Sequence, residues 1–489
     1  MNKPGIQLNS RPKSPLIITL FIPFFLALTL KAAPVTSYLV AWIGSFFIFY
    51  QTWFSSYRFI LDDLPVHKQI MRPLFLQHFV FAGFMCSTSI FFFLDTLGYR
   101  YLTQISPVPL HFIHEQLQLV AQCQRLSVLG HACLVTGMLL VQSMHYKHKP
   151  SYHPPVHLKA INWILWICLT SFLTSIVLKM LPGIAQFSIS LYNVAVIAGA
   201  VVFVNGIVTN NIRLWTLGGG IVGLNFINST ISGFKEPIII SLILISCLLF
   251  PVYKKKVLLL ATPLLGLVLY FSSTYTSVFR KHAWDKEVSV EEARSEALET
   301  ILSDDGSEEI EDTNWEFLAY RFSEISMFTQ FITVTPSVIP YYGTELLENS
   351  VLVVIPRVLW PEKPITESLA MERVYNSGVV NRNSSVSAKS RPIVDGYLSG
   401  GMIGIVIYML LLGSISQWLC NKAENMFGGY EVGGIIMYNG FFQQLWRGET
   451  IEFMFNTVFW SFVAMLVLFY ILKYLNLLQK IKPVETPPN

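Results

Sequence analysis

Residues 399–418 read SGGMIGIVIYMLLLGSISQW, a run with no charged side chain. A helix of about 20 apolar residues is long enough to cross the hydrocarbon core of a bilayer. The rest of the chain has a similar character: 53% of its 489 residues are hydrophobic and only 13% are charged. Soluble domains carry about 25% charged residues. The sequence therefore predicts an all-α, polytopic membrane protein.

Twelve apolar stretches are long enough to be predicted as transmembrane helices. They are residues 15–31, 35–54, 73–94, 124–144, 161–182, 186–208, 213–233, 236–252, 257–275, 399–418, 430–446 and 451–473. Lysine and arginine are concentrated in alternate connections between these stretches, for example at Lys254, Lys255 and Lys256. Because cytoplasmic connections carry the excess of these residues, both termini are predicted to be cytoplasmic.

This alternation divides the chain into three parts. Residues 1–275 contain transmembrane helices 1–9, residues 276–398 form one large external loop, and residues 399–489 contain helices 10–12 and a cytoplasmic tail.

Two stretches are expected at the membrane surface. Residues 111–120 are amphipathic, and residues 325–342 are apolar but interrupted by Pro336 and Pro340. The second stretch is expected to lie along the interface or to re-enter partway, because the prolines interrupt a helix.

Composition argues against several kinds of site. The net charge of +4 is too small to indicate nucleic-acid binding. The six cysteines lie in or beside apolar stretches and form no Cys-x-x-Cys pair, which favours packing residues over disulfides or metal ligands. Four histidines between residues 145 and 157 have a spacing that suits no usual metal site. We therefore expect no metal, no cofactor and no nucleic acid.

The predicted external loop is rich in cations, although such loops tend to avoid lysine and arginine. Guanidinium groups suit phosphates because they bond two oxygens at once. The aromatic residues Tyr341, Tyr342, Trp360 and Tyr397 accompany the cations. This pattern favours a lipid-linked phosphate carrying sugars over the alternative, a solvated basic loop. The cations are Arg321, Arg357, Lys363, Arg373, Arg382, Lys389 and Arg391.

One segment of this loop, residues 356–364, reads PRVLWPEKP and has three prolines in nine residues. Prolines restrict their own backbone and that of the preceding residue. The segment is therefore predicted to be a rigid turn that presents Arg357, Trp360 and Lys363.

The same segment resembles the external-loop signature of O-antigen polymerase (Wzy-type) proteins and related polysaccharide repeat-unit polymerases. Residues 320–343, which begin Tyr-Arg and end Tyr-Tyr-Gly, are similar to the arginine-led segment of that family. Residues 395–404 are similar to its Glu-x-Tyr-x-x-x-Gly-x-x-Gly motif, with Asp395 in place of Glu and Leu-Ser-Gly in place of the usual Asn-Phe-Gly. The resemblance covers roughly residues 315–405.

The resemblance implies a membrane glycosyltransferase similar to the GT-C class. Such enzymes join oligosaccharide units carried on undecaprenyl diphosphate at the outer face of the bacterial inner membrane, without metal or nucleotide sugars. The product is an O-antigen, a capsule or an exopolysaccharide. The expected partners are undecaprenyl-diphosphate-linked glycans, membrane lipids and a regulator of chain length.

Roles for individual residues follow from that reaction. The acceptor hydroxyl must lose a proton, so Glu324 or Asp395 is predicted to be the general base. Trp360 and Tyr397 are predicted to stack on sugars. The diphosphate leaving group requires fixed cations. The predicted cations are Arg321, Arg357, Lys363, Arg391 and Arg447.

Arg447 also has a second interpretation. It lies in the turn Trp446-Arg447-Gly448-Glu449, where an arginine can extend to the membrane interface beside a glutamate that caps the next helix.

Two other functions stay open. An O-antigen ligase would share the donor and the fold, but ligases resemble a pattern with a functional histidine in the large loop, where this chain has only His282. A transporter or flippase for lipid-linked sugars belongs to a different class and fits twelve helices. Transport paths usually contain charged residues within the membrane, and these are nearly absent from the predicted helices. A polymerase is therefore the favoured function.

Overall fold

A computed structural model of the chain describes residues 17–54, 60–61, 63–101, 103–106, 108–144, 150–154, 160–181, 184, 186–231, 236–268, 314–356, 359–383 and 388–481. Helices dominate these residues, and the predicted all-α class is confirmed. Two short antiparallel strand pairs accompany them. Strand β1 (Tyr99–Arg100) pairs with β2 (Thr103–Gln104), and β3 (Tyr152–His153) pairs with β4 (Gln479–Lys480).

The helices before residue 269 are mostly long and apolar. Short 3-10 turns cover Ile18–Phe21 and Val66–Lys68, and a π-helix, Ala82–Ser87, joins α3 to α4. Residues 255–268 are also helical. The α-helices are α1 (Ile22–Thr29), α2 (Pro34–Trp53), α3 (Pro73–Phe81), α4 (Ser89–Thr96), α5 (His114–Met144), α6 (Ala160–Lys179), α7 (Gln186–Val208), α8 (Ile212–Ile231) and α9 (Glu236–Tyr253).

The helices after residue 313 include shorter elements. Two π-helices, Phe317–Phe322 and Tyr430–Tyr438, lie among them. The α-helices are α10 (Ile325–Val334), α11 (Glu345–Leu352), α12 (Thr366–Asn376), α13 (Pro392–Met426), α14 (Asn439–Phe441), α15 (Gln443–Arg447) and α16 (Ile451–Tyr474).

Six helices in the described part of the chain are long and apolar enough to cross a membrane. Several helices expose large apolar side chains, as α16 does with Phe459 and Val467. Such surfaces suit lipid rather than water. The chain is therefore an all-α membrane protein. The six helices are Pro73–Thr96, His114–Gln142, Ala160–Lys179, Phe187–Val208, Pro392–Met426 and Ile451–Tyr474.

The prediction that residues 111–120 rest on the membrane surface stays a prediction, but residues 114–120 are not a separate amphipathic piece. Helix α5 begins at His114 and continues without a break to Met144. Leu117 and Val120, in its first two turns, are buried. They are covered because the segment after residue 313 folds back and packs α10 against this helix. A distant segment of the chain provides that cover, so local amphipathicity does not reveal it.

The predicted helix at residues 430–446 is not continuous. A π-helix, α14 and α15 divide this stretch. A Cβ atom on Gly433 would lie 2.3 Å from the carbonyl oxygen of Ala423, so this stretch approaches the end of α13 very closely. The Asn439 amide also donates to the carbonyl oxygens of Gly434 and Met71, at 3.0 and 3.1 Å. These contacts with distant backbone accompany the interruption of regular α-helix.

Residues 325–342 do not form a membrane-spanning helix. Helix α10 has 10 residues, about 15 Å in length, which is half the thickness of a bilayer core. It ends at Val334, and the next residue, Thr335, precedes Pro336.

The connections between helices meet in two groups. In the first group, the Trp315 indole and the Tyr320 hydroxyl donate to Asp95 at the end of α4, at 2.7 and 2.5 Å. In the second group, β3 pairs with β4, and the backbone N–H of Ser151 donates to the carbonyl oxygen of Asn425. Connections that the sequence assigns to one side of the membrane are thus found together.

Arg72 joins three segments within the second group. Its guanidinium donates to both carboxylate oxygens of Asp63, at 2.8 and 2.7 Å, and to both of Glu424, at 2.9 and 3.0 Å. It also contacts the ring of Tyr430. Paired and bidentate bonds of this kind hold a buried charge in a fixed geometry. The start of α3 is therefore tied to the end of α13.

Helix α13 has a kink at Gly400 and Gly401. Gly401 has φ of 62° and ψ of −139°, which a residue with a side chain rarely adopts. A Cβ atom on Gly404 would lie 2.0 Å from the carbonyl oxygen of Gly396, so the two arms of the kink touch. The glycines noted in the sequence thus separate the first two turns of α13, which carry Asp395 and Tyr397, from its apolar remainder.

Candidate active site

Trp315 and Tyr320 contact the end of α4, and a separate buried ionic network joins α12 to the first turns of α13 and α16. The Arg373 guanidinium donates to both carboxylate oxygens of Glu452, at 2.7 and 2.8 Å, and lies 3.1 Å from Asp395. Arg373 is 2% exposed, and both carboxylates are fully buried. Although burial alone would lower the pKa of Arg373, the two carboxylates hold it above its ordinary value.

Asp395 is satisfied on every side. Its Oδ1 accepts a 2.5 Å bond from the Ser390 hydroxyl, and its Oδ2 accepts a 2.8 Å bond from the backbone N–H of Ile451. Ile451 begins α16, so the carboxylate also caps that helix. The predicted role of Asp395 as a general base stays a prediction. Its complete burial and full set of bonds favour a role in positioning.

Glu324 and Arg391 form a second ion pair, and this one is open to solvent on one side. The Nε of Arg391 donates to Glu324 at 2.8 Å, and its NH1 donates to the carbonyl oxygen of Gly448 at 2.8 Å. The Arg391 side chain is 27% exposed. It also lies 5.8 Å from the centre of the Phe84 ring. The structure thus brings together a predicted base, a predicted phosphate ligand and the turn that contains Arg447.

Glu449 connects two more cations to this place. Lys389 bonds its carboxylate at 2.8 Å, and Arg447 lies 3.8 Å from it. Burial alone would raise the pKa of Glu449, but the charges of Lys389, Arg447 and Arg391 outweigh burial and keep that pKa below its ordinary value. Together with Glu324, these residues have three positive and two negative charges. We call these five residues the basic cluster.

A small cavity opens beside the basic cluster. Its lining includes Arg391, Arg447, Phe84 and Gln77, and its volume is about 30 Å³. A space of this size holds about one water molecule. A diphosphate would therefore enter only if side chains of the basic cluster moved apart.

The other predicted site residues lie elsewhere. The ammonium group of Lys363 donates to the backbone carbonyls of Val353 and Ile355. Trp360 is partly buried on the same turn, and Arg321 is exposed on the π-helix Phe317–Phe322. Arg357 lies outside the described residues. The rigid turn predicted for residues 356–364 is therefore described only in part.

Tyr397 is mostly buried. Its hydroxyl donates to the carbonyl oxygen of Thr335 at 3.0 Å, and the centre of its ring lies 5.9 Å from that of Tyr341. In this conformation the ring packs within the protein, so Tyr341, which is exposed, is the more accessible aromatic. The predicted stacking role of Tyr397 stays a prediction.

Arg373 was predicted as one of the loop cations but without a specific role. Glu452 was not predicted as a site residue. Glu452 lies in the first turn of an apolar helix, where an ionisable residue is costly unless it has a partner. This energetic cost is the feature of the sequence that could have indicated a buried partner for Glu452. Among the described residues, no group of three or more histidines, cysteines and acidic residues is placed to hold a metal ion.

Together, the helices and these ionic networks define a membrane protein with a polar site near the ends of several helices. The chain belongs to the family described as Domain of unknown function (DUF8712), whose model matches residues 22–480. No curated protein matches the chain, and no solved structure matches it.

Proposed function

We propose that the protein polymerises oligosaccharide repeat units carried on undecaprenyl diphosphate, as a glycosyltransferase of the GT-C class. The observation that carries the proposal is the basic cluster, in which three cations surround Glu324 and Glu449 at one end of the membrane helices. The resemblance of residues 315–405 to O-antigen polymerases supports it. The product is an O-antigen, a capsule or an exopolysaccharide.

The proposed reaction transfers the growing glycan from its lipid diphosphate to a sugar hydroxyl of the next unit. The bond between the anomeric carbon and the phosphate oxygen breaks, and a new bond forms from that carbon to the hydroxyl oxygen. The diphosphate departs with increasing negative charge, which Arg391, Lys389 and Arg447 stabilise. The hydroxyl proton passes to a carboxylate.

Glu324 is the proposed base because its present partner is also a proposed phosphate ligand. When Arg391 turns to the diphosphate, Glu324 loses that ion pair and becomes free to accept a proton. The exchange of partners also widens the small cavity beside the basic cluster. Arg321, Arg357 and Lys363 are proposed as further ligands along the glycan-diphosphate path, and Trp360 as a sugar contact.

The proposed topology has twelve membrane crossings with both termini in the cytoplasm, and it places the basic cluster outside the bacterial inner membrane. The grouping of helix ends supports it, since Asp95 meets the loop segment while Asn425 meets Ser151 at the opposite end.

Reporter fusions test this topology. A fusion after Lys256 or Lys422 is expected to report cytoplasm. A fusion after Ser377 is expected to report the exterior, because Arg373, on the helix that ends just before Ser377, pairs with Glu452 at the start of α16, which the proposed topology places outside. The measurement is the activity of paired reporters, one active only inside and one only outside. A cytoplasmic signal at Ser377 would place the basic cluster on the wrong side for an external glycan and would reject the mechanism.

Deletion of the coding sequence tests the function itself. The deletion strain is expected to carry surface glycans of a single repeat unit, because synthesis and export of each unit would continue while joining stops. The measurement is the length distribution of surface polysaccharide on gels, with a complemented strain as the control. Loss of all glycan from lipid A, with long chains kept on the lipid carrier, would indicate a ligase instead. An unchanged profile would reject a role in glycan synthesis.

A further inference from the structure

Part of the segment between α10 and α13 descends along the side of a membrane helix. The Trp460 indole of α16 donates to the carbonyl oxygen of Val354 at 3.1 Å. Trp460 lies nine residues after the start of α16 at Ile451, a depth of about 13 Å along the helix. Val354 follows α11 directly. With the hydrocarbon core taken to begin near Ile451, the end of α11 and the turn after it lie at the level of the lipid chains.

The second half of α11 fits that depth, whereas Glu345 and Glu348, in its first turn, are exposed and belong at the level of the lipid headgroups. Leu346 and Ser350 face the protein, while Leu347, Val351 and Leu352 are exposed. The backbone carbonyl groups after the helix also have hydrogen-bond partners, since Trp460 and Lys363 donate to the three carbonyl oxygens of residues 353–355. Unpaired carbonyl groups are costly in hydrocarbon, so these bonds allow irregular backbone to lie there.

An apolar groove runs between α11, α13 and α16. Its volume is about 520 Å³, within the range of roughly 300–1,000 Å³ that is typical of small-molecule sites. Leu347 lines it from α11, Ile403 and Ile407 from α13, and Phe455 from α16. The kink at Gly400 and Gly401 lies at its upper end. All three helices present apolar side chains toward the level of the lipid chains, so the groove is open to the bilayer rather than to water.

The groove shares a wall with the cavity beside the basic cluster. Leu412 and Leu445 line both spaces, and Arg391 and Arg447 line the smaller one. A larger apolar depression of about 740 Å³ lies between α6 and α16, around Trp166 and Leu472, but its described lining contains no charged residue. Of these two apolar spaces, only the groove between α11, α13 and α16 lies next to fixed cations. An amphiphile with an anionic head requires this combination.

We propose that the groove between α11, α13 and α16 binds the hydrocarbon chain of a polyprenyl phosphate, which enters sideways from the membrane beneath the re-entrant helix α11. The phosphate end then lies at the basic cluster. The choice of a polyprenyl chain rests on the proposed function, whereas the groove and its cations are features of the structure.

The test uses the full chain in nanodiscs with a photoactivatable polyprenyl phosphate as the probe. We expect the labelled peptides to contain Leu347, Ile403 or Ile407. Ile403→Trp is expected to reduce labelling by about tenfold or more, which corresponds to about 1.4 kcal/mol of binding free energy or more. Ile403 is 69% exposed, so an indole there fills the groove without overfilling the core.

Met402→Trp is the matched control. Met402 precedes Ile403 on α13 and is 50% exposed, but it does not line the groove, so labelling is expected to stay the same. Equal loss of labelling in both variants, or label concentrated at Trp166 and Leu472, would overturn the proposal. Complete competition by excess phosphatidylglycerol would also overturn it, because the groove would then accept ordinary phospholipid.

These outcomes are independent of the outcome for the proposed function. Specific labelling of the groove together with normal surface glycans in the deletion strain would keep the lipid site and reject the polymerase. If the groove is not labelled but the deletion strain carries single-unit glycans, the lipid site is rejected and the polymerase is kept.

Discussion

Arg391→Ala is expected to reduce the rate of glycan polymerisation by on the order of a hundredfold or more, because one aligned charge against a developing anion is worth a few kcal/mol. Arg391 is the cation that contacts both Glu324 and the Gly448 carbonyl, so its loss removes a phosphate ligand and the group that holds the proposed base. The measurement is the rate of chain growth on lipid-linked units in isolated membranes.

Arg382→Ala is the matched control for this experiment. Arg382 lies on the same segment and pairs with Glu372, but both side chains are more than half exposed. Solvent screens exposed ion pairs of this kind, so polymerisation is expected to be unchanged. Arg391→Lys keeps the charge without the planar fork and is expected to restore activity in part. A normal glycan ladder from Arg391→Ala, at normal protein abundance, would remove Arg391 from the mechanism.

Arg373→Ala is expected to have the largest effect on the amount of folded protein. The change leaves the fully buried carboxylates of Glu452 and Asp395 without their cation. Breaking a buried ion pair in this way costs about 3–5 kcal/mol, a large part of the stability of a typical domain. We expect little of the variant to accumulate in membranes, and a lower melting temperature for what does. Immunoblots and thermal unfolding in detergent measure both effects.

A double variant separates this structural role from a catalytic one. Arg373→Met combined with Glu452→Gln removes a positive and a negative charge together, and Asp395 keeps its bonds to Ser390 and to the Ile451 backbone. This variant is expected to recover part of the lost abundance. If Arg373→Ala accumulates normally and melts at the usual temperature, the network does not stabilise the fold as described.

The all-α membrane class was predictable because a chain surrounded by lipid needs few charged residues and long apolar runs. Both features are visible directly in the sequence. The interruption at residues 430–446 was not predictable, since it involves the fit of Gly433 against the Ala423 carbonyl and the bond from Asn439 to Met71. Ala423 belongs to α13 and Met71 to the turn before α3, so neither contact is specified by the stretch itself. The burial of Leu117 has the same cause, because α10 packs against α5 from a distant part of the chain.

The site was predictable as a set of residue types but not as a set of pairs. Phosphate chemistry selected Arg391 and Arg447 from the sequence, and the need for a general base selected Glu324. The pairing of Arg391 with Glu324 spans 67 residues and that of Arg373 with Glu452 spans 79, and nothing local specifies either. Asp395 is an example. The motif that contains it led to its prediction as a base, but in the structure its side chain is fully buried.

The Arg373–Glu452 pair also has a consequence for biogenesis. Chains are made from the N-terminus, so Arg373 and Asp395 leave the ribosome before Glu452 exists. The bidentate partner of Arg373 arrives only with the last helix, and β4, which pairs with β3, follows that helix. A nascent chain that stops before residue 451 therefore contains a buried arginine without its main counter-ion. We therefore expect a chain cut before residue 451 to be less stable than the full chain, which thermal unfolding in detergent would measure.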